Sequence, residues 1–268
     1  MLINGKNFTV GADPELFIGL NGKPHSAFGL IEGDKRRPTP VKDGAVQVDG
    51  MALEFNIDPA DNEQEFVGRI NSVQSLILEM TPGFQLIPLA SVVFDKDHFD
   101  AQPDCAKILG CDPDFSGLTM AANRKPNGRT TMRTAGGHVH VGGFFTDDPF
   151  DAAHFYSCGK LARLMDEQVG VYSVLFDLDD KRRSMYGAPS CFRPKKYGME
   201  YRTMSNAWIF NSKITSLIYN FTLDAVRKMF DRTYEIDPVV HEIIQNSDRN
   251  NSFFKNNHKA ELIMEAMG

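Results

Sequence analysis

The sequence predicts an α+β fold in which an antiparallel or mixed sheet is covered on one side by helices. Three observations predict it. Short runs with period-two alternation sit between turn signals in residues 1 to 58, which is the mark of hairpins. Apolar residues recur at helical spacing after residue 61 and again after residue 212. The element types follow as strands, helix, strand, helices, strand, helices, not as a repeating βαβ unit. The 268 residues are read as one domain, and an apolar fraction of 42% supplies a substantial core.

Taken in order, Asn21-Gly22, Glu32-Gly33-Asp34 and Asp49-Gly50 punctuate the first strands as turns. Asp61 or Asn62 caps a helix that carries Phe66, Ile70, Val73 and Ile77 on one face, and Thr81-Pro82-Gly83 ends it. FQLIPLASVVF reads as a buried strand. Residues 95 to 135, with Pro103, Pro113, Pro126 and Gly128, read as a long loop region of functional type. GGHVHVGGFF is a strand, followed by a largely helical stretch to about Phe176, a basic loop over 181 to 197, the strand GMEYRTMS, and a helix with Ile214, Leu217, Ile218 and Phe221 on one face. The Asn-rich stretch from Asn246 to Asn257 reads as a mobile loop.

A net charge of −6, with 29 basic and 35 acidic residues, gives no general grip on nucleic acid. Cys105, Cys111, Cys158 and Cys191 are widely spaced and form no CxxC pair, which fits a reducing cytoplasm. The N-terminus carries no signal-like apolar run, and no stretch reaches the length of a membrane span. A soluble, cytoplasmic protein is expected.

Four strands repeat one arrangement, polar on one face and apolar on the other. Asp13 and Glu15 share a face in GADPELFI, Glu54 and Asn56 in MALEFNI, His138 and His140 in GGHVHVGG, and Glu200 and Arg202 in MEYRTM. Surface exposure explains alternation in any one strand, but a wet face normally carries Lys, Thr, Ser and Gln. Carboxylates and imidazoles on strands about 4.8 Å apart repel one another unless a cation lies between them. Hard oxygen donors with some imidazole favour Mg²⁺ or Mn²⁺, and Mg²⁺ commonly serves phosphate. Arg133, Arg182, Arg183, Arg193 and Arg202 supply cations for phosphate or carboxylate, whereas Lys195 and Lys196 read as solvated loop charges. Gly136-Gly137 and Gly142-Gly143 suit close approach of a ligand or a bulge. No Walker loop or GxGxxG is present.

These segments resemble the carboxylate-amine ligases of the glutamine synthetase and γ-glutamyl-cysteine ligase superfamily. DPELF looks like the Glu-Pro-Glu strand of glutamine synthetase, GGHVHVGG is similar to the superfamily's histidine strand, and EYR resembles the Glu-x-Arg strand that closes the metal site. GADPELF, DGMALEFN, RTAGGHVHVG and EYR together resemble the type-2, phage-type amidoligases, over roughly residues 9 to 210. The resemblance implies a glutamine synthetase-like catalytic domain with a curved sheet, helices on one face and the active site on the other. It also implies that Glu15, His138 and Glu200 hold one metal ion, and that Asp13 and Glu54 help hold a second, with Gln47 or Asp49 as candidates for a further ligand. His140 would lie near the nucleotide, and Arg202 would stabilise the migrating phosphoryl group.

ATP and Mg²⁺ (or Mn²⁺) are the implied cofactors, and a small-molecule or peptide carboxylate and an amine the implied partners. Catalysis then falls to Arg202, His140 and Arg133, and nucleotide contacts to His140, Arg182, Arg183, Arg193 and Arg202. Cys158 and Cys191 read as ordinary residues, and His25, His98, His154, His241 and His258 as structural or surface histidines. A metal-dependent hydrolase, a guanidine kinase and a non-catalytic nucleotide- or metal-binding phage protein are the rival readings, disfavoured by the absence of HExxH and of kinase motifs and by the full set of metal-facing residues.

Overall fold

The computed structural model describes residues 1–108, 114–124, 130–231 and 235–268. Cys111, Pro113, Pro126 and Gly128 lie outside these residues. Seven strands carry the argument: β1 (Thr9–Leu20), β2 (Thr39–Val41), β3 (Gly44–Asp49), β4 (Ala52–Ile57), β5 (Gly137–Gly142), β6 (Cys191–Lys195) and β7 (Gly198–Tyr201). They lie side by side in the order β6-β7-β5-β1-β4-β3-β2, and every neighbouring pair is antiparallel. Among the described residues the sheet is antiparallel and not mixed. Asn21 and Gly22, with φ of 52° and 76°, close the two-residue hairpin from β1 to Lys23–His25, as the Asn-Gly signal predicts.

The pleat sorts the side chains. Val10, Ala12, Leu16 and Ile18 of β1, Leu53, Phe55 and Ile57 of β4, Val139 and Val141 of β5, and Met199 and Tyr201 of β7 all enter one hydrophobic core. Helices α1 (Glu63–Met80), α2 (Ala152–Met165), α3 (Val171–Phe176) and α4 (Ser212–Lys228) close that core from the same side. Asn62 caps α1 by accepting from the Glu65 amide at 2.9 Å, Phe66, Ile70, Val73 and Ile77 are buried, and Thr81 ends the helix as expected. On α4, Ile214, Ile218 and Phe221 are buried and Leu217 packs half-buried against them. Each such fully buried aliphatic side chain contributes roughly 1.5–3 kcal/mol. Beyond Glu15, the polar face of β1 also turns apolar: Phe17 joins Met51, Val92 and Phe94 in a second, smaller cluster.

Four expectations are corrected. FQLIPLASVVF is not one strand but two short ones, Gln85–Ile87 and Ser91–Val93, in different sheets, because Pro88 between them has no N–H for a ladder. The basic loop contains a helical turn, Asp180–Arg183, and the strand β6. Pro194 is tolerated in β6 because the outer neighbour, Phe115–Ser116, pairs only with Phe192 and Cys191. Within 95 to 135, the described residues include the helical turns Lys96–Asp100 and Asp104–Lys107 and the strand Met132–Thr134. The Asn-rich stretch is ordered by its own caps, with Asn251 and Asn257 each accepting from backbone amides two residues on.

Candidate active site

Register places the polar residues opposite one another. His138 faces Asp13, Glu15 faces Glu54, Gln47 faces Glu54, and His140 and Arg193 flank Glu200 on either side. The sheet therefore brings together Asp13, Glu15, Glu54, His138, His140 and Glu200 from four strands, with Arg202 at the end of β7. Among the described residues, potential ligand atoms within 4.8 Å of one another form two groups, Asp13–His140–Glu200 and Glu15–Asp49–Glu54. The grouping divides the residues differently from the division that the resemblance implies. It puts His140 beside Asp13 and Glu200, and Asp49 beside Glu15 and Glu54. His138 bridges, with Nδ1 3.1 Å from Asp13 Oδ1 and 3.5 Å from Glu200 Oε1.

Glu200 is fully buried and surrounded by cations. Arg202 Nη1 donates to Oε1, Arg193 Nη1 lies 3.3 Å from both oxygens, and Lys195 Nζ is 2.7 Å from Oε2. Lys195 is thus an ion-pair partner of the site and not a solvated loop charge, because β6 alternates and puts Arg193 and Lys195 on the same face. Lys196 is exposed. Burial and the nearby Asp13 oppose ionisation of Glu200, but Arg202, His138 and His140 outweigh them and hold its carboxyl well below the usual range. For Asp13, burial is likewise overcome by His140 and His138. At the other group the balance reverses. Burial, then Asp13, Glu15 and Asp49, push the Glu54 carboxyl well up, and burial raises Glu15. Lys35, 2.8 Å from Asp49 Oδ2, is the cation on that side.

Two cavities share this face. One is lined by the charged side chains of Glu15, Asp49, Asp114, Arg133, Arg182 and Arg202 and by His138, with Met51 and Ile108 beside them. The other is lined by Asp13, Glu54 and His140 at one end and by Pro38, Ile57, Pro59, Phe145 and Tyr197 around its apolar wall. Arg133 sits at the first cavity with its guanidinium anchored: Nη1 donates to the Thr130 and Met132 carbonyls, Nη2 to that of Lys107, and the group stacks 4.8 Å over Phe99. Arg182 donates to the Thr203 carbonyl at 3.1 Å, and burial brings it down to about 10. Arg183 turns away from the cavity and pairs with Asp177 at 3.3 Å.

Sequence reasoning missed Asp114 and Tyr197. Asp114 Oδ2 lies 3.4 Å from Arg202 Nε while its Oδ1 accepts from Asn123 at 3.0 Å, so it steadies the guanidinium from the long loop. Tyr197 Oη lies 2.5 Å from His140 Nδ1. Neither belongs to an alternating strand face, and only the fold delivers them. The glycine pair before His138 answers to close neighbours in the chain. A Cβ on Gly136 would lie 2.3 Å from His138 Nε2, and one on Gly137 2.2 Å from the Ser205 carbonyl oxygen. Among the remaining histidines, Ser26 N donates to His98 Nε2 and His154 Nε2 meets the Lys195 carbonyl, while His258 is exposed.

No helix among the described residues is long and apolar enough to cross a membrane. No curated protein matches the chain in sequence. Among solved structures it is similar in fold to a bifunctional glutathione synthetase from Pasteurella multocida. The TM-score is 0.55 at 13% identity, over 97% of this chain and 46% of that one, so this chain spans under half the length of that protein. Residues 129–263, half of the chain and the part that carries His138, His140, Glu200 and Arg202, match a described family. On that match the chain belongs to the phage phiEco32-like COOH.NH2 ligase-type 2 family.

Proposed function

We propose that the chain is an ATP- and Mg²⁺-dependent carboxylate-amine ligase with one glutamine synthetase-like catalytic domain over residues 1–268, acting in the cytoplasm on a small-molecule or peptide acid and an amine. The observation that carries this reading is the convergence of Asp13, Glu15, Glu54, His138, His140 and Glu200 on one sheet face beside Arg202, in a chain of a carboxylate-amine ligase family. The donor set is carboxylate with imidazole and contains no thiolate, which suits Mg²⁺ or Mn²⁺. Asp13, His140 and Glu200, and Glu15, Asp49 and Glu54, would hold the ions, with His138 between the two sets. Bound there, a divalent ion would neutralise phosphate oxygens.

In this reading the acid's carboxylate attacks the γ-phosphorus of ATP, ADP leaves, and the amine then displaces phosphate from the acyl phosphate to form the amide. The chain's own contribution is positioning and charge. Arg202, steadied by Asp114 and Glu200, offers its guanidinium to the transferring group. The apolar wall of Pro38, Pro59, Phe145 and Tyr197 suits a flat nucleobase, and the arginine-lined cavity suits an anionic substrate. No side-chain nucleophile is needed. Burial raises the Cys158 thiol to about 12 and lifts that of Cys191 further, which disfavours thiolate chemistry at either.

The test incubates the protein with ATP, Mg²⁺ and pooled amino acids and polyamines and follows phosphate release. Release that requires an added acceptor, and that Glu200→Ala removes, supports a ligase. Metal-dependent hydrolysis of an amide without ATP would make it a hydrolase, and ATP that is neither bound nor split ends the ligase reading.

A further inference from the structure

His140 is held by more than its strand. Its ring stacks against Tyr197 with centroids 5.9 Å apart and planes 16° from parallel, and Tyr197 Oη lies 2.5 Å from Nδ1. The opposite nitrogen, Nε2, stands 3.0 Å from Asp13 Oδ1, but the approach lacks hydrogen-bond geometry. Nε2 is therefore aimed at the Asp13–Glu200 carboxylates without being satisfied by them. A hydroxyl can donate or accept. With no ion, Tyr197 can donate to Nδ1 and leave the proton on Nε2, facing Asp13. With an ion, Nδ1 can carry the proton and donate it to the Tyr197 oxygen, which frees the Nε2 lone pair. A ligating histidine almost always donates its other ring N–H to an acceptor of this kind.

We propose that Tyr197 is a positioning residue that presents His140 Nε2 to a divalent cation held with Asp13 and Glu200. The inference rests on the metal-dependent reading of this face. It gives His140 a ligand's place, and Tyr197 acts through His140 without touching the ion.

The test uses Mn²⁺ alone, without nucleotide, and reads bound ion by electron paramagnetic resonance and water-proton relaxation. Tyr197→Phe keeps the ring stack and removes only the hydroxyl. It is expected to weaken Mn²⁺ binding about tenfold, the usual effect of losing a ligand's outer hydrogen bond. In a His140→Ala background the same change should have no further effect, which a merely structural role would not produce. Equal Mn²⁺ binding by Tyr197→Phe and the parent protein, or full additivity with His140→Ala, overturns the positioning role and leaves the ligase reading standing. Absence of Mn²⁺ binding by the parent protein overturns both. Loss of ATP turnover with Mn²⁺ binding and its Tyr197 dependence intact would count against the ligase reading alone.

Discussion

Glu200 shows how much of the site rests on a single residue. It is fully buried and carries the counter-charge for Arg193, Lys195 and Arg202 together. Removing one member of a buried charge network leaves the others uncompensated, at about 3 kcal/mol or more. Glu200→Gln keeps the shape, and its expected cost is on the order of 3 kcal/mol in urea unfolding, together with loss of Mn²⁺ binding; an unchanged unfolding midpoint would show that the three cations do not depend on this carboxylate. Glu200 and Arg202 were legible because they alternate with Met199 and Tyr201. Arg193 and Lys195 carry the same signal, alternating with Phe192 and Pro194, but Pro194 and the neighbouring basic residues disguise the strand as a loop. Asp114 and Tyr197 were not legible: both reach the site from connections, where no periodicity reports which way a side chain points.

At the scale of elements, the sheet is supported from behind by the π-helical turn Asp166–Gly170 that joins α2 to α3. Asp166 is buried there and accepts from Tyr201 Oη and Ser190 Oγ, each at 2.6 Å, with His241 Nε2 3.5 Å away. Tyr201 lies between Glu200 and Arg202 in sequence, so this contact ties the helix layer to the site strand. Gly170 makes the approach possible, since a Cβ there would lie 2.1 Å from Tyr201 Oη. Burial raises the Asp166 carboxyl to about 6, against the hydroxyls of Ser190 and Tyr201, which act the other way. The folded state thus keeps a proton that the unfolded chain releases near pH 4. Its stabilising contribution is complete below that pH and is lost as pH rises through about 6, by roughly 3 kcal/mol. Asp166→Asn should flatten this part of the pH dependence of urea unfolding, and identical slopes in the two proteins would refute the assignment.

The cap of α1 is a simpler case. The sequence places it at Asp61 or Asn62, and the structure selects Asn62, with the Glu65 side chain accepting from the Asp61 amide in return. Asn62→Ala should cost about 1 kcal/mol in thermal or urea unfolding and leave ATP turnover untouched. Caps and helical stripes are local, so the sequence reports them well. The division of FQLIPLASVVF between two sheets depends on partners far away in the chain, and Pro88 was the one local sign of it.

Across the whole molecule, the sheet gathers its charged side chains on one face, with a like-charged corner at Glu15, Asp49 and Glu54, and apolar packing on the other. The apolar face was predictable in outline because β1, β4, β5 and β7 contribute to it at the same period. The grouping of the carboxylates was not, since it depends on the register between β1, β3 and β4, which sets where Asp49 at the end of β3 meets Glu15 and Glu54. In the Glu15–Asp49–Glu54 group, Lys35 is the cation that meets a carboxylate, through Asp49, and Glu54 is pushed well up by burial and its three acidic neighbours. On the metal-dependent reading proposed above, this corner works against folding without a divalent ion and for it with one. Glu54→Gln should therefore move stability in opposite directions under the two conditions. In EDTA the variant is expected to be more stable than the parent by about 1 kcal/mol, because one repelling carboxylate is gone. In Mg²⁺ at a hundred times its dissociation constant the parent should gain about 2.7 kcal/mol by mass action, and the variant less than half of that. Urea unfolding of both proteins with and without Mg²⁺ reads all four values. A parent that gains nothing from Mg²⁺, or a variant that is less stable than the parent in EDTA, would mean that the acidic corner is an ordinary wet surface and that the sheet was not shaped around a cation.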